Sequence, residues 1–209
     1  MKNISFQDHL DRAIMGNVES QNQVGKMYFT GTEVRKNYKE AFKWFQLSAA
    51  QRDIVGMYNL ASMLDIGVID IEKNHLDSKI IYENVLEFNE DFSRKKINLS
   101  DSYLIAVSSS AQNLGLLYYN GKCGTPRDYM KAFKYFALGA EMGDKESQYS
   151  VGVLFYKGKG IKINYKEAIK WWRLSSNQGY ELAQQALGQK GTWHRHARKF
   201  IVYLVDAFL

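Results

Sequence analysis

Apolar residues recur along this chain with the spacing of one face of an α-helix. After Asn164, the residues Tyr165, Ala168, Ile169 and Trp172 are spaced i, i+3, i+4 and i+7, which predicts a helix with one buried stripe. Asn164 is a suitable N-cap, because its side chain can accept a hydrogen bond from a free backbone N–H in the first turn. An Asn or Asp precedes a similar stretch at three earlier positions, namely Asn37, Asn74 and Asp128.

A different helical pattern precedes each of these stretches and ends at a glycine. It consists of an aliphatic residue, a glycine, an aromatic residue three positions later and a second glycine three positions after that. The pattern occurs at 24–31, 114–121 and 151–158, in a weaker form at 60–67, and truncated at 186–188. The second glycines are predicted to end these helices, because a helix commonly terminates at a left-handed residue. They are Gly31, Gly67, Gly121 and Gly158.

The first glycine position of the pattern recurs at residues 25, 61, 115, 152 and 188, so the steps are 36, 54, 37 and 36 residues. The step of 54 is one repeat plus an insertion of 18 residues. A helix pair with this period cannot bury its own stripe, whereas stacked pairs share a continuous core. The predicted repeats are 17–52, 53–87, 108–143 and 144–179, with a partial unit at 180–191 and an insertion at 88–107.

These repeats predict an all-α fold, with about four helix pairs stacked into a single solenoid domain over residues 1–209. Capping helices are expected near 5–15 and over 192–207. The glycines at 25, 115 and 152 lie inside predicted helices, where glycine costs about 1 kcal/mol relative to alanine. We expect a large ring of the partner helix to approach each of them closely, and we assign this role to Trp44, Tyr135 and Trp171.

The units resemble Sel-one-like repeats, which are relatives of the tetratricopeptide repeat. The segment from Val151 to Trp172 matches the family pattern throughout, including Gly158-Lys159-Gly160-Ile161, and the junction Ala140–Asp144 is similar to the family's inter-repeat turn. The resemblance covers 17–87 and 108–190 and is poor at 68–82. It implies a right-handed α/α superhelical solenoid that serves as an adaptor, with no catalytic residues to carry over.

The first helices of the pairs present a candidate surface for a protein partner. Positions three before, one after and four after the first glycine form a stripe that points away from the core stripe. If the first helices line the inside of the solenoid, this stripe faces a concave groove with aromatic anchors of the kind that protein interfaces favour. The predicted partner-binding residues are Asn22, Lys26, Phe29, Tyr58, Asp65, Gln112, Tyr119, Tyr149 and Tyr156. Some of these rings, alternatively, only cover the adjacent helix.

Charge and composition add a few constraints. Four of the six surplus positive charges lie at 190–199, and we interpret this short basic segment as a solvated helix face, so no nucleic acid is expected as a partner. The single cysteine, Cys123, cannot form an internal disulfide, which fits a reducing compartment. Neither a signal peptide nor an apolar run of about 18 residues is evident, so we expect a cytoplasmic protein without a membrane span.

No residue pattern indicates catalysis, a cofactor or a metal site. Gly152 to Lys159 has five residues between its glycines and no Ser or Thr after the Lys, so it differs from a phosphate-binding loop. His194 and His196 are two residues apart, and two such residues do not share a helix face. Cys123 has no neighbouring base that would activate it. The sequence therefore predicts neither an enzyme nor a small-molecule substrate.

The leading functional hypothesis is a scaffold that binds a protein partner through the concave groove. A narrower alternative is a bacterial immunity or inhibitor protein that neutralises a toxic enzyme, in which case the partner is a toxin and the insertion at 88–107 is an element that could plug it. A secreted bacterial effector and an enzyme are further alternatives from different classes.

Overall fold

The computed structural model describes residues 4–68, 71–93, 99–121 and 124–188. Within these ranges the chain forms ten helices, and the only β-type pairing is an isolated bridge between Val68 and Ile71. The all-α prediction is therefore confirmed for the described part of the chain. The helices are α1 (Phe6–Ile14), α2 (Val18–Thr30), α3 (Tyr38–Ala50), α4 (Ile54–Ile66), α5 (His75–Ser93), α6 (Asp101–Asn120), α7 (Tyr129–Glu141), α8 (Lys145–Lys157), α9 (Tyr165–Asn177) and α10 (Glu181–Gly188). The predicted capping helix at 192–207, the basic segment and Cys123 lie outside the described residues.

The chain divides into two compact units, at residues 1–107 and 108–209. In the first unit each of the helices α1 to α4 packs against the next one along the chain, so the series ends with α4 on α5. In the second unit α7 to α10 pack in the same consecutive manner. Each unit therefore buries its apolar stripes between successive helices, as expected for repeats that share a core with their neighbours.

The predicted helix ends are confirmed by the local hydrogen bonds. The side-chain oxygens of Asn37, Asn74, Asp128 and Asn164 each accept from the backbone N–H three residues later, over 2.9–3.2 Å. The four glycines that were expected to end the first helices all have positive φ angles, between 64° and 79°. Left-handed backbone is nearly strain-free only for glycine, so these positions stop the helix and turn the chain toward its partner helix.

The three glycines inside α2, α6 and α8 lie against large rings, but not the rings assigned from the sequence. A Cβ added at Gly25 would lie 2.6 Å from the ring of Phe45, and one at Gly115 would meet Phe136. A Cβ at Gly152 would lie 2.5 Å from Cδ1 of Trp172. Each contacting ring is one residue later than Trp44, Tyr135 or Trp171, so the assignment was wrong by one position. The explanation of the glycines as close-approach sites is correct.

The inserted residues lengthen two helices. Residues 88–93 continue α5, and residues 101–107 form the first part of α6. These helices contain 19 and 20 residues, whereas six of the other helices in the described residues contain 13. The insertion therefore adds about two helical turns to α6 and more than one to α5, at 3.6 residues per turn.

Helix α1 takes the place of a second helix from a preceding repeat. Gln21 of α2 donates from Nε2 to the Ala13 carbonyl at 3.2 Å, and Gln148 of α8 donates in the same way to the Ala140 carbonyl at 3.3 Å. Ala13 is the second-last residue of α1 as Ala140 is of α7, and a glycine with positive φ follows three residues later in both. The predicted N-terminal helix is thus present and packs on α2 as a repeat helix would.

Candidate functional site on the first helices

The predicted partner-binding stripe remains accessible in the first unit. Lys26 is exposed, and Asn22, Phe29, Tyr58 and Asp65 are all half-buried. The Asn22 amide donates from Nδ2 to the carboxylate of Asp53 at 2.7 Å, which links α2 to the N-terminus of α4. These side chains therefore lie on neighbouring helices and have surface left for a partner.

The last position of the stripe makes the same contact in three repeats. Phe29, Tyr119 and Tyr156 each pack edge-to-face on the first tyrosine of the following second helix, with ring centroids 5.4, 5.3 and 5.3 Å apart. In the second repeat Asp65 occupies this position, and its carboxylate contacts Nδ1 of His75 at 2.5 Å. One face of each of these side chains is thus used to join the two helices of its own repeat.

In the second unit most of the stripe is buried. Gln112, Tyr119 and Tyr149 are only 5–6% exposed, while Tyr156 is half-buried. The Gln112 amide oxygen accepts from the Ser147 hydroxyl at 2.9 Å. Partner contact at these four positions stays a prediction. In this structure only a small part of the Gln112, Tyr119 and Tyr149 side chains is accessible to a partner.

Tyr149 lies in an aromatic cluster beside α10. Its ring packs edge-to-face on Tyr180 at 5.4 Å and stacks on Trp172 at 6.4 Å. Burial raises the pKa of the Tyr149 phenol above its usual range, and the nearby hydroxyls of Tyr180 and Tyr119 raise it further. Burial and the nearby carboxylates of Glu146 and Asp144 raise the pKa of Tyr180 to about 12. Both phenols are therefore protonated at neutral pH.

Lys159 covers Tyr119 from the loop of the next repeat. Its Nζ donates to the Tyr119 hydroxyl at 3.0 Å and lies 4.7 and 4.9 Å from the ring centres of Tyr119 and Tyr129. Burial lowers the pKa of this ammonium, but the hydrogen bonds to the two tyrosines outweigh that effect and raise it overall. The charged lysine thus closes the stripe at Tyr119.

A basic basin next to the stripe was not recognised from the sequence. The loop after α2 and the first turn of α3 surround a cavity of about 790 Å³. Three of its lining side chains are cations, Arg35, Lys36 and Lys39, and Tyr28 and Tyr38 supply aromatic walls. The sequence feature that could have indicated it is the run Arg-Lys-Asn-Tyr-Lys at 35–39. This run was overlooked because most of the net positive charge lies in the C-terminal segment.

The described ranges contain no group of three or more His, Cys, Asp or Glu side chains arranged to hold a metal ion. Across the same part of the chain, no helix combines the length and apolar character needed to cross a membrane.

These features define an α/α repeat protein, in which helix pairs pack consecutively and the first helices carry a stripe of variable side chains. Residues 18–53, 54–79, 108–144 and 145–180 match the model of the Sel1 repeat, and together they make up more than half of the chain. The chain belongs to the Sel1 repeat family.

Three comparisons illustrate the range of similar proteins. Over 60 residues the chain is 42% identical to DAP3-binding cell death enhancer 1 of Rattus norvegicus, which covers 29% of this chain and 12% of that protein. The structure of c5321, a protective antigen of uropathogenic Escherichia coli with an SLR fold, is 25% identical with a TM-score of 0.74, over 89% of this chain and 36% of that one. Immunity protein Pa5087 from Pseudomonas aeruginosa is 15% identical with a TM-score of 0.52, over 88% and 63%. The chain thus spans less than two thirds of each of these proteins.

Proposed function

We propose that this chain is a non-catalytic scaffold that holds a protein partner on the first-helix stripe of its first unit. The observation that carries the proposal is the difference in burial between the two units. The five stripe residues of the first unit all retain exposed surface, whereas three of the four in the second unit are nearly inaccessible. Membership of a repeat family whose members display surfaces to other proteins supports the general role.

The chemistry of the open stripe suits a protein partner. Lys26 offers a charge, and Tyr58 offers a large amphipathic ring of the type that anchors interfaces. The Oδ1 atom of Asn22 is buried and has no hydrogen-bond partner among the described residues. A backbone N–H of a docked segment would satisfy this acceptor if the side chain turned outward on binding.

The immunity-protein alternative is a narrower form of the same proposal, with a toxic enzyme as the partner. The similarity to Pa5087, at 15% identity, shows the fold alone and does not favour this alternative over other partners.

The test is to identify partners by affinity capture with the full chain and then to titrate the purified partner against variants. Lys26→Glu and Tyr58→Ala are each expected to weaken binding by about 1–3 kcal/mol, the range for anchoring residues in interfaces. Lys43→Glu and Leu47→Ala are the controls, because they reverse a charge and truncate a large side chain at exposed positions of α3 in the same unit. Circular dichroism melting curves establish that each variant is folded.

Unchanged affinity in both folded stripe variants would remove the first-unit stripe from the proposal. Equal weakening by the control variants would contradict a site specific to the stripe, because these controls lie on α3 whereas the stripe lies on α2 and α4. Turnover of a small molecule by the purified chain would contradict the non-catalytic role.

A further inference from the structure

We propose that the basic basin beside α3 binds an acidic segment of a protein partner, through carboxylates that pair with Arg35 and Lys36. This inference rests on the proposed function, because it specifies the chemistry of part of the partner. It concerns a different surface from the first-helix stripe, so the two can be tested apart.

Two cations of the basin, Arg35 and Lys36, are available for a ligand. Among the described residues, neither Arg35 nor Lys36 forms an ion pair, and both side chains are exposed. Lys36 lies 5.7 Å from the ring centre of Tyr38, which positions its ammonium at the basin wall without neutralising it. An anion in the cavity would meet two unpaired positive charges from adjacent residues, with Lys39 close by as the second residue of α3.

The basin is held in shape by hydrogen bonds at both ends of its loop. Thr32 donates its backbone N–H to the Met27 carbonyl at 3.1 Å, and Asn37 donates to the Tyr28 carbonyl at 2.9 Å. Glu33 has a positive φ of 62°, and its carboxylate accepts from the backbone N–H of Phe6 at 2.9 Å. A preformed site loses less entropy on binding than a flexible loop would.

The charge pattern favours an acidic peptide over a nucleic acid. The basic run is bounded by Glu33 on one side and by Glu40 on the other, and Glu40 pairs with Lys43 at 2.6 Å. A phosphate backbone that continued past the basin would bring its charges against these carboxylates. A peptide can place two or three carboxylates in the basin and continue with neutral residues, and a cavity of about 790 Å³ is large enough for several side chains.

The fourth repeat supplies a matched control. The positions of Arg35 and Lys39 correspond to Lys162 and Lys166, but an isoleucine, Ile163, replaces Lys36. Replacing Lys162 and Lys166 with glutamine therefore removes two charges from an equivalent loop and helix start. The double variant Arg35→Gln/Lys36→Gln has the same net charge, so a difference between the two reports the basin itself.

The probe is a fluorescein-labelled hexaglutamate peptide, titrated with the full chain at about 50 mM salt and followed by fluorescence anisotropy. The basin variant is expected to bind about tenfold more weakly than the unsubstituted chain, since two partly exposed ion pairs are lost. The repeat-four variant is expected to change the affinity less than twofold. Raising the salt to about 500 mM is expected to weaken the binding of the unsubstituted chain, because exposed pairs are screened.

Several outcomes would overturn the inference. They are the absence of hexaglutamate binding, an equal loss in the repeat-four variant, equal binding of a hexaglutamine peptide, and tighter binding at the basin of a hexanucleotide of similar charge. If the double variant does not fold, Arg35→Gln alone gives the same comparison against Lys162→Gln.

The two proposals fail in distinguishable ways. If hexaglutamate binding depends on the basin but no captured partner is affected by the stripe variants, the proposed function alone is contradicted. A captured partner that depends on the stripe, combined with hexaglutamate binding that ignores Arg35 and Lys36, would contradict the basin alone.

Discussion

Replacing Gly152 with alanine tests how the helices of one repeat approach each other. The added Cβ would lie 2.5 Å from Cδ1 of Trp172, closer still to Nε1, and 3.1 Å from the carbonyl oxygen of Ala168. Trp172 is fully buried, and its Nε1 donates to the Tyr149 carbonyl at 3.1 Å. Because the ring is enclosed by other residues, we expect the helices to move apart and the indole hydrogen bond to break.

The magnitude follows from three effects. Alanine gains about 1 kcal/mol over glycine inside a helix. Overpacking of a close-packed core costs about 1–3 kcal/mol, and a buried indole N–H without its acceptor costs about 1–3 kcal/mol. We therefore expect Gly152→Ala to lower the free energy of unfolding by about 3 kcal/mol. With an m-value of about 2 kcal/mol per M, the urea midpoint would fall by about 1.5 M.

Urea unfolding followed by circular dichroism and tryptophan fluorescence measures this change. Gly188→Ala is the control, because a Cβ there meets no atom of the described residues within 4 Å, so the variant should be nearly neutral. In a Trp172→Ala background the ring is gone, so the added Gly152→Ala change should become stabilising by about 1 kcal/mol. A Gly152→Ala variant at least as stable as the unsubstituted chain, or one equally destabilised without the ring, would refute the close-approach explanation.

Two further predictions concern the helix crossings and the buried phenols. A Cβ added at Gly56 would lie 2.6 Å from the Cβ of Ser48. Gly56→Ser should therefore lower the free energy of unfolding by about 2 kcal/mol. In the second unit the two residues are exchanged, because there Gly139 faces Ser147. Adding Ser48→Gly should recover at least half of that loss in urea midpoints, and no recovery would contradict the pairing. The pKa of Tyr180 is raised to about 12 by burial and then by nearby carboxylates, so the folded state holds this proton more tightly. The stabilisation that this raised pKa provides is complete below about pH 10 and is lost as the pH rises through about 12. Over this range the urea midpoint should fall less in Tyr180→Phe than in the unsubstituted chain, and an identical fall would contradict the assignment.

The helix ends could be predicted from the sequence because they depend on local chemistry. An Asn or Asp at an N-cap bonds to a backbone N–H only three residues away, and a glycine at a C-cap needs only its own φ to be positive. The contacting rings were misplaced although the pattern contained the answer. In α9 the buried stripe runs through Ala168 and Trp172, so periodicity places Trp172, and not Trp171, on the side that faces Gly152.

The accessibility of the stripe could not be predicted in the same way. Helical periodicity shows that Tyr119 and Tyr149 point away from their own core stripe, but not what a neighbouring segment places over them. Lys159 arrives from the loop of the next repeat, and Tyr180 from the turn before α10. These contacts join residues that are 40 and 31 positions apart in the sequence, so they depend on the packing of successive repeats.

One substitution pattern explains why the same repeat gives an open stripe in one unit and a closed one in the other. At the middle position of the stripe the second unit has Leu116 and Val153, and Val153 is 1% exposed, whereas the first unit has Lys26 and Ser62. Aliphatic residues at this position extend the core outward, because burying their surface is favourable. A lysine cannot be buried there without a partner, so it keeps the stripe in contact with solvent. A closed core and an accessible surface can therefore be divided between repeats of one template by the polarity of a single position in each first helix.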